Sequence, residues 1–297
     1  MALGCLFIVS TPIGNLGDIT RRAVEVLSSV ACVAAEDTRR TRALLSHLGI
    51  GEKPIRSLNA HSSPAAIAQL VERLLEGDDV AFVTDAGTPA VSDPGGGLVA
   101  AAAARQVPVR IVPGPSAVTA AVALSGLVDG PFTFLGFLPR RGPERQANLQ
   151  RLRYSAEPVV LFESPARLAK TLTEFAEHFP DRRIFIGREL TKLYEEGLRG
   201  SVAELATRTD AWRGEIAIVL AAANADERAA AEGAEKRALC EAALRAAIDC
   251  GVNPSRITRA LAEASGLPKK ELYDRALELA KSRGESEPEG GAETPSD

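Results

Sequence analysis

Aromatic residues are scarce in this chain: one Trp, three Tyr and nine Phe among 297 residues. So few rings leave little room for base stacking as a main mode of binding. Histidine occurs only at His47, His61 and His178, far apart in sequence, and no H-E-x-x-H motif is present. No G-x-G-x-x-G follows the first apolar run, and no G-x-x-x-x-G-K-[ST] occurs. These absences argue against metal hydrolysis and P-loop chemistry. No apolar run approaches the roughly 18–20 residues of a membrane span. The start, MALGCLFIVSTPIG, lacks a basic segment ahead of its short apolar stretch. It reads as a buried strand and not as a signal peptide. The four cysteines, Cys5, Cys32, Cys240 and Cys250, form no C-x-x-C pair. They are expected to be reduced core residues of a cytoplasmic protein.

Net charge is also small, −4, and its placement matters more than its sum. The last residues, GESEPEGGAETPSD, hold five acids and no base, so the remaining chain carries +1. Such a tail, 284–297, cannot bury a core and is expected to be disordered. A nearly neutral body must meet any polyanion through local basic patches.

What is present is an alternation of short apolar runs with amphipathic stretches. The runs are CLFIV (5–9), VACVAA (30–35), IRSL (55–58), VAFVT (80–84) and VPVRIV (107–112). Between the third and fourth, Ile67, Leu70, Val71, Leu74 and Leu75 fall on one helical face. Near-continuous apolar strands separated by helices predict an α/β domain over 1–125 with a mostly parallel sheet covered on both faces. A second α+β domain is expected over 126–223, with strands FTFLGF (132–137), PVVLFE (158–163), RIFIG (183–187) and EIAIVLAA (215–222). There LPRRGPERQ reads as a basic loop. Beyond a short polar link, 224–283 is Ala-rich and helical, and its last two helices have helix-turn-helix spacing. No internal repeat is evident.

Three Gly/Pro-rich loops each follow a predicted strand: STPIGNLGDIT (10–20), TDAGTPAVSDPGGG (84–97) and VPGPSAVTAA (112–121). In an open α/β sheet, ligands bind beyond the carboxyl ends of the strands. Glycine lets backbone groups approach a ligand closely. Each loop taken alone reads equally well as a connecting turn; three on successive strand ends line one crevice.

Together these loops, with AAEDTRRTRALLSHLGI, LNAHS, FLGFLPRR, LFESPARL and GRELTKLYEE, resemble the tetrapyrrole (corrin/porphyrin) methylase family. The likeness is strongest to its ribosomal branch, the 16S rRNA (cytidine-2′-O)-methyltransferases, and it spans nearly the whole chain except the acidic tail. It implies a two-domain fold with S-adenosyl-L-methionine folded between the domains. Carried over residue by residue, it implies Pro12 at the cleft floor and cofactor contacts from Asp85, Ala86, Gly87, Val91, Ser92 and Asp93. Ser116, Ala117, Leu135, Phe137 and Ala217 complete the implied pocket. The first loop departs from the family's Gly-x-Gly-Pro-Gly, reading Ser10-Thr11-Pro12-Ile13-Gly14. That points to a different substrate in this space.

The implied reaction moves a methyl group to a ribose hydroxyl of a cytidine in 16S rRNA of the small ribosomal subunit, by a homodimer, without metal or membrane. A positioned base is then required. Glu36, Asp37 and Glu163 all follow strands and are candidates, and Asp37 equally suits a helix N-cap. Arg39, Arg40, Arg140, Arg141, Arg188 and Lys192 are candidates for gripping RNA phosphates. Phe137, Tyr154 and Tyr194 are the rings available for stacking. Arg256, Arg259, Lys269, Lys270 and Arg275 lie on the last helices, which read equally as a nucleic-acid arm or as a packed bundle. A tetrapyrrole methylase of the same fold, or a non-enzymatic RNA-binding assembly factor, are the alternatives.

Overall fold

The computed structural model describes residues 2–60, 62–208 and 211–284. The chain divides into two compact units, Met1–Ala223 and Asn224–Asp297.

The first unit holds two five-stranded sheets. In chain order its elements begin with β1 (Leu6–Val9), α1 (Arg21–Ser29), β2 (Cys32–Ala35), α2 (Thr38–His47) and β3 (Ile55–Ser57). They continue with α3 (Pro64–Leu75), β4 (Val80–Val83), α4 (Gly96–Ala104), β5 (Val109–Val112) and α5 (Ala117–Ser125). The strand order of this first sheet is β3-β2-β4-β1-β5, and every pairing is parallel. Side-chain alternation divides its apolar residues between two cores. Leu6, Ile8, Ala34 and Phe82 pack with α3 and α4. Val9, Val33, Ala35 and Val83 pack with α1 and α2. The edge strand β5 departs from the expected double coverage: Val109 and Ile111 are exposed.

The second sheet is built from β6 (Thr133–Phe137), β7 (Val159–Glu163), β8 (Arg183–Arg188), β9 (Glu196–Ser201) and β10 (Ile216–Leu220). Its order is β6-β7-β10-β8-β9, mixed, with β6 and β7 parallel and the rest antiparallel. Three helices, α6 (Pro143–Tyr154), α7 (Pro165–His178) and α8 (Val202–Ala206), cover one face. The other face takes Val118 and Ala121 of α5 together with Ile13 from the loop after β1. Thus α5, which follows the first sheet in sequence, packs on the second and ties the two sheets together. The stretch LPRRGPERQ is only half loop, because Pro143 opens α6.

The second unit is a three-helix body of α9 (Ala225–Asp249), α10 (Pro254–Ser265) and α11 (Lys269–Gly284), closed over Leu244, Leu272 and Ala276. Its first helix opens at Ala225. A capping box between Asn224 and Glu227 satisfies the opening N–H groups. Cys32 and Cys240 are buried as expected, whereas Cys250 is exposed, just past the end of α9. Gly284, expected to begin the disordered acidic tail, instead ends α11, and the rest of that tail, 285–297, lies outside the described residues. No described helix is long and apolar enough to cross a membrane.

Candidate active site

Parallel pairing sends the loops after β1, β4 and β5 to the same edge of the first sheet. They are fastened to one another by specific bonds. Thr11 and Gly87 exchange both backbone hydrogen bonds, at 2.9 and 3.0 Å. The Ser10 and Thr88 hydroxyls are 2.9 Å apart, and Thr88 donates to the Pro115 carbonyl at 3.3 Å. The β4 loop is also strained: Ala90 and Ser92 sit at φ +67° and +61°, a region side chains other than glycine rarely adopt. At Gly95, φ is +127° and a Cβ would lie 2.2 Å from the Phe82 ring, so only glycine closes the loop there. Across from it, a Cβ on Gly136 (φ +65°) would lie 2.7 Å from the Ser92 hydroxyl.

These loops and the second sheet enclose a cavity of about 340 Å³. Ala86, Gly87, Val91, Ser92, Asp93, Ser116, Ala117, Phe137, Glu163 and Ala217 all line it. So do Ile13, Thr88, Phe162, Ser164, Pro165, Gly187, Leu190, Gly214, Glu215 and Ile216, which sequence reading missed. GREL drew attention for its Arg188 charge, not for Gly187 or Leu190. The Gly214–Ile216 stretch enters a strand and carries no signal at all.

Pro12 and Asp85 face elsewhere. They line a second cavity of about 260 Å³ with Thr11, Leu16, Arg40, Thr41, Ala43, Leu44 and Thr84. Leu135 packs against the core on the helix-covered face of the second sheet. A register irregularity between Phe134 and Phe137 leaves Phe137 beside the cavity and Leu135 turned away from it.

The carboxylates separate into distinct roles. Asp37 caps α2, accepting the Arg39 backbone N–H at 2.8 Å and its guanidinium at 2.9 and 3.2 Å. These bonds hold its carboxyl well below the usual range. Glu163 has a fully buried side chain. Ser164 N–H donates to it at 2.8 Å, the Thr171 hydroxyl at 2.8 Å, and Arg167 at 2.9 and 3.0 Å. A carboxylate offers about four acceptor positions, so none remains for a substrate proton. Asp85 accepts the Asp37 N–H at 3.1 Å and pairs with Arg40 at 3.4 Å. Its own N–H reaches toward Glu36 at 3.5 Å. Asp93 is pushed up to about 6, mainly by burial and then by the Glu36 charge, with Asp85 adding and the Thr84 hydroxyl opposing.

Among the candidate cations, Arg188 pairs with Glu196 at 2.9 Å. Lys192 pairs with Glu189 at 2.8 Å and Glu215 at 2.9 Å. The Lys192 stem lies over Gly14, where a Cβ would come within 2.3 Å of it. Arg140 and Arg141 are exposed in the turn before α6 and carry no ion pair among the described residues. Arg39 and Arg40 are exposed as well, each already beside an aspartate.

Comparison with known proteins settles the family. The family description Tetrapyrrole (Corrin/Porphyrin) Methylases matches residues 5–206. Ribosomal RNA small subunit methyltransferase I of Xylella fastidiosa (strain Temecula1) is 41% identical over 276 residues, 91% of this chain and 98% of that one. The chain belongs to the tetrapyrrole methylase family. A second relative, ribosomal RNA small subunit methyltransferase I of Thermotoga maritima, is 47% identical over 220 residues, 73% of this chain and 98% of its own length. Solved tetrapyrrole methylases share the fold. Cobalt precorrin-4 methyltransferase CbiF superposes with a TM-score of 0.55 at 22% identity, covering 73% of this chain and 94% of that one. Uroporphyrin-III C-methyltransferase from Thermus thermophilus, in complex with S-adenosyl homocysteine, gives 0.51 at 19%, covering 73% and 92%.

Proposed function

We propose that this protein transfers a methyl group from S-adenosyl-L-methionine to the 2′-hydroxyl of a cytidine in 16S rRNA of the small ribosomal subunit. The observation that carries the reading is the cavity where three strand-end loops meet the second sheet, with Asp93 on its wall. The relatives' shared name supports ribosomal RNA as the substrate.

The residues present fit the methyl donor. At about 340 Å³ the cavity lies in the range of roughly 300–1,000 Å³ common to small-molecule sites. Ile13, Val91, Phe137, Phe162 and Leu190 supply apolar walls, and the Ala86–Gly87–Thr88 backbone supplies polar edges. Ser116 begins α5 without a side-chain cap bond, and Ala117 and Val118 face the cavity. That helix start offers free N–H groups and a positive dipole end to the donor's carboxylate. When bound, the donor supplies a methyl group already activated on a positively charged sulfur.

The protein's share of the chemistry is alignment and proton removal. Among the described carboxylates that border the cavity, Glu163 and Glu215 are ion-paired and Asp93 is not, and a pKa raised to about 6 suits a base near neutral pH. Glu36 acts on it through charge. Arg140 and Arg141 hold RNA phosphates. Homodimerisation, through a face that includes exposed Val109 and Ile111, and a cytoplasmic location with the ribosomal subunits belong to the same reading.

Labelled S-adenosyl-L-methionine incubated with the protein tests this when small ribosomal subunits and a uroporphyrinogen are offered side by side. Label in the subunit RNA is expected. Label in the tetrapyrrole instead would overturn the ribosomal reading.

A further inference from the structure

The second cavity has its own chemistry. Thr11 lines it and Gly87 lines the donor cavity, so the paired backbone bonds between these residues form the wall the two share. Neighbouring residues alternate across that wall: Pro12 and Asp85 face one cavity, Ile13 and Ala86 the other. The second cavity therefore sits one backbone bridge away from the methyl donor's place.

Its walls and its polar end suit a planar base. Pro12, Leu16 and Leu44 offer apolar surfaces on which a ring can lie. At the polar end stand the Asp85 carboxylate and the Arg40 guanidinium, 3.4 Å apart. Asp85 accepts one backbone N–H, from Asp37, and keeps further lone pairs. Arg40 is 67% exposed in its side chain and uses one of its five N–H donors on this pair. An acceptor beside a donor fork complements the cytosine edge, which presents the N4 amino group next to the N3 and O2 acceptors. Uracil presents O4 and N3–H in those places, setting an acceptor against the carboxylate.

We propose that this cavity takes the target cytosine, turned out of its stack, with Asp85 accepting from the N4 amino group and Arg40 donating to N3. The inference rests on the ribose-methylation reading above and adds to it the residues that choose the base. Sequence-specific recognition of RNA commonly reads a splayed-out base by its pairing edge. Aspartate accepting from cytosine N4 is an established kind of base contact.

The test compares small subunits carrying cytidine or uridine at the methylated position, with wild-type protein and the Asp85→Asn variant, both full length. For wild type, kcat/KM is expected to favour cytidine by roughly five- to hundred-fold, as one well-made base contact does. In Asp85→Asn the side-chain amide can donate to uracil O4, so the preference is expected to vanish or invert. S-adenosylhomocysteine affinity, measured by calorimetry, is expected to stay within about two-fold. Equal loss on both substrates with the ratio unchanged overturns the proposal, as does a matching loss of S-adenosylhomocysteine binding. Should Asp85→Asn fail to fold, Arg40→Gln at an exposed position decides: a collapsed ratio supports the slot and an unchanged one overturns it. No label from wild type on either subunit, with S-adenosylhomocysteine bound, overturns the rRNA reading itself and the slot with it.

Discussion

Glu36 and Asp93 lie in the segments that follow two neighbouring strands of the first sheet, and the Glu36 charge comes second only to burial in raising the Asp93 carboxyl to about 6. Asp93 follows β4 in the strained loop, whereas Glu36 follows β2, next to β4 in the sheet. Parallel pairing thus brings both segments to the same edge of the sheet, where Asp93 lines the donor cavity.

With Asp93 as the proposed base, this raised pKa is expected to set the pH dependence of methyl transfer. The base must be ionised, so kcat is expected to rise with pH through about 6 and level off above it. Asp93→Asn is expected to lower kcat by roughly 10²–10⁴-fold while S-adenosylhomocysteine still binds. A flat pH–rate profile between pH 5 and 7, measured under single turnover, would contradict the assignment.

The same shift has a stability cost of opposite sign. Asp93 holds its proton more tightly folded than unfolded, so its contribution is fullest below the unfolded value, near pH 4, and is lost as pH rises toward about 6. Asp93→Asn is therefore expected to be more stable at pH 7. Because the side chain is only half-buried, solvent screening holds the gain to the order of 1 kcal/mol. Urea unfolding at pH 4 and pH 7 reads the difference, which should be smaller at pH 4.

Glu163 is expected to behave as an anchor. Glu163→Gln removes the charge facing Arg167 inside a buried network that also holds Thr171. Losing one partner of a buried pair costs about 3–5 kcal/mol, and the part-exposed Arg167 puts this case at the low end. Stability should fall by about 3 kcal/mol while kcat of the folded enzyme stays within a few-fold. A loss of kcat with stability intact would make Glu163 the proton acceptor instead.

Gly95 makes a purely geometric prediction. Gly95→Ala forces a side chain into φ +127° and toward the Phe82 ring. The left-handed penalty and the overpacking together amount to about 3 kcal/mol. The midpoint of urea denaturation should fall accordingly.

Arg140 and Arg141 test the RNA grip. Replacing both with Ala is expected to raise KM for subunits and to flatten its dependence on log salt by about one to two units. Cofactor affinity should not change. An unaltered salt slope would remove these residues from the RNA path.

Most of the first sheet was legible because its strands are short apolar runs and its loops carry the Gly/Pro signals at their carboxyl ends. The exposed edge β5 was not, since Val109 and Ile111 look like core residues until the strand order is known. Strand β9 (EGLRGS) escaped because glycines and charges blur its alternation; it exists by pairing with β8. Motif matching located the loops but could not sort their residues between two cavities. Asp85 and Ala86 are adjacent in sequence, and only the backbone direction sends one to each side. Nor could composition separate a capping Asp37 and a bonded Glu163 from Asp93, because the difference lies in partners brought from Arg39, Arg167 and Glu36.

The reaction itself is decided by locating the transferred methyl group. Small subunits from cells lacking this protein are incubated with it and labelled S-adenosyl-L-methionine, then digested and analysed by mass spectrometry. The proposed function predicts one modified cytidine with the added mass on the ribose. A methyl group on a base, on a different nucleoside, or absent from the RNA would contradict the assignment.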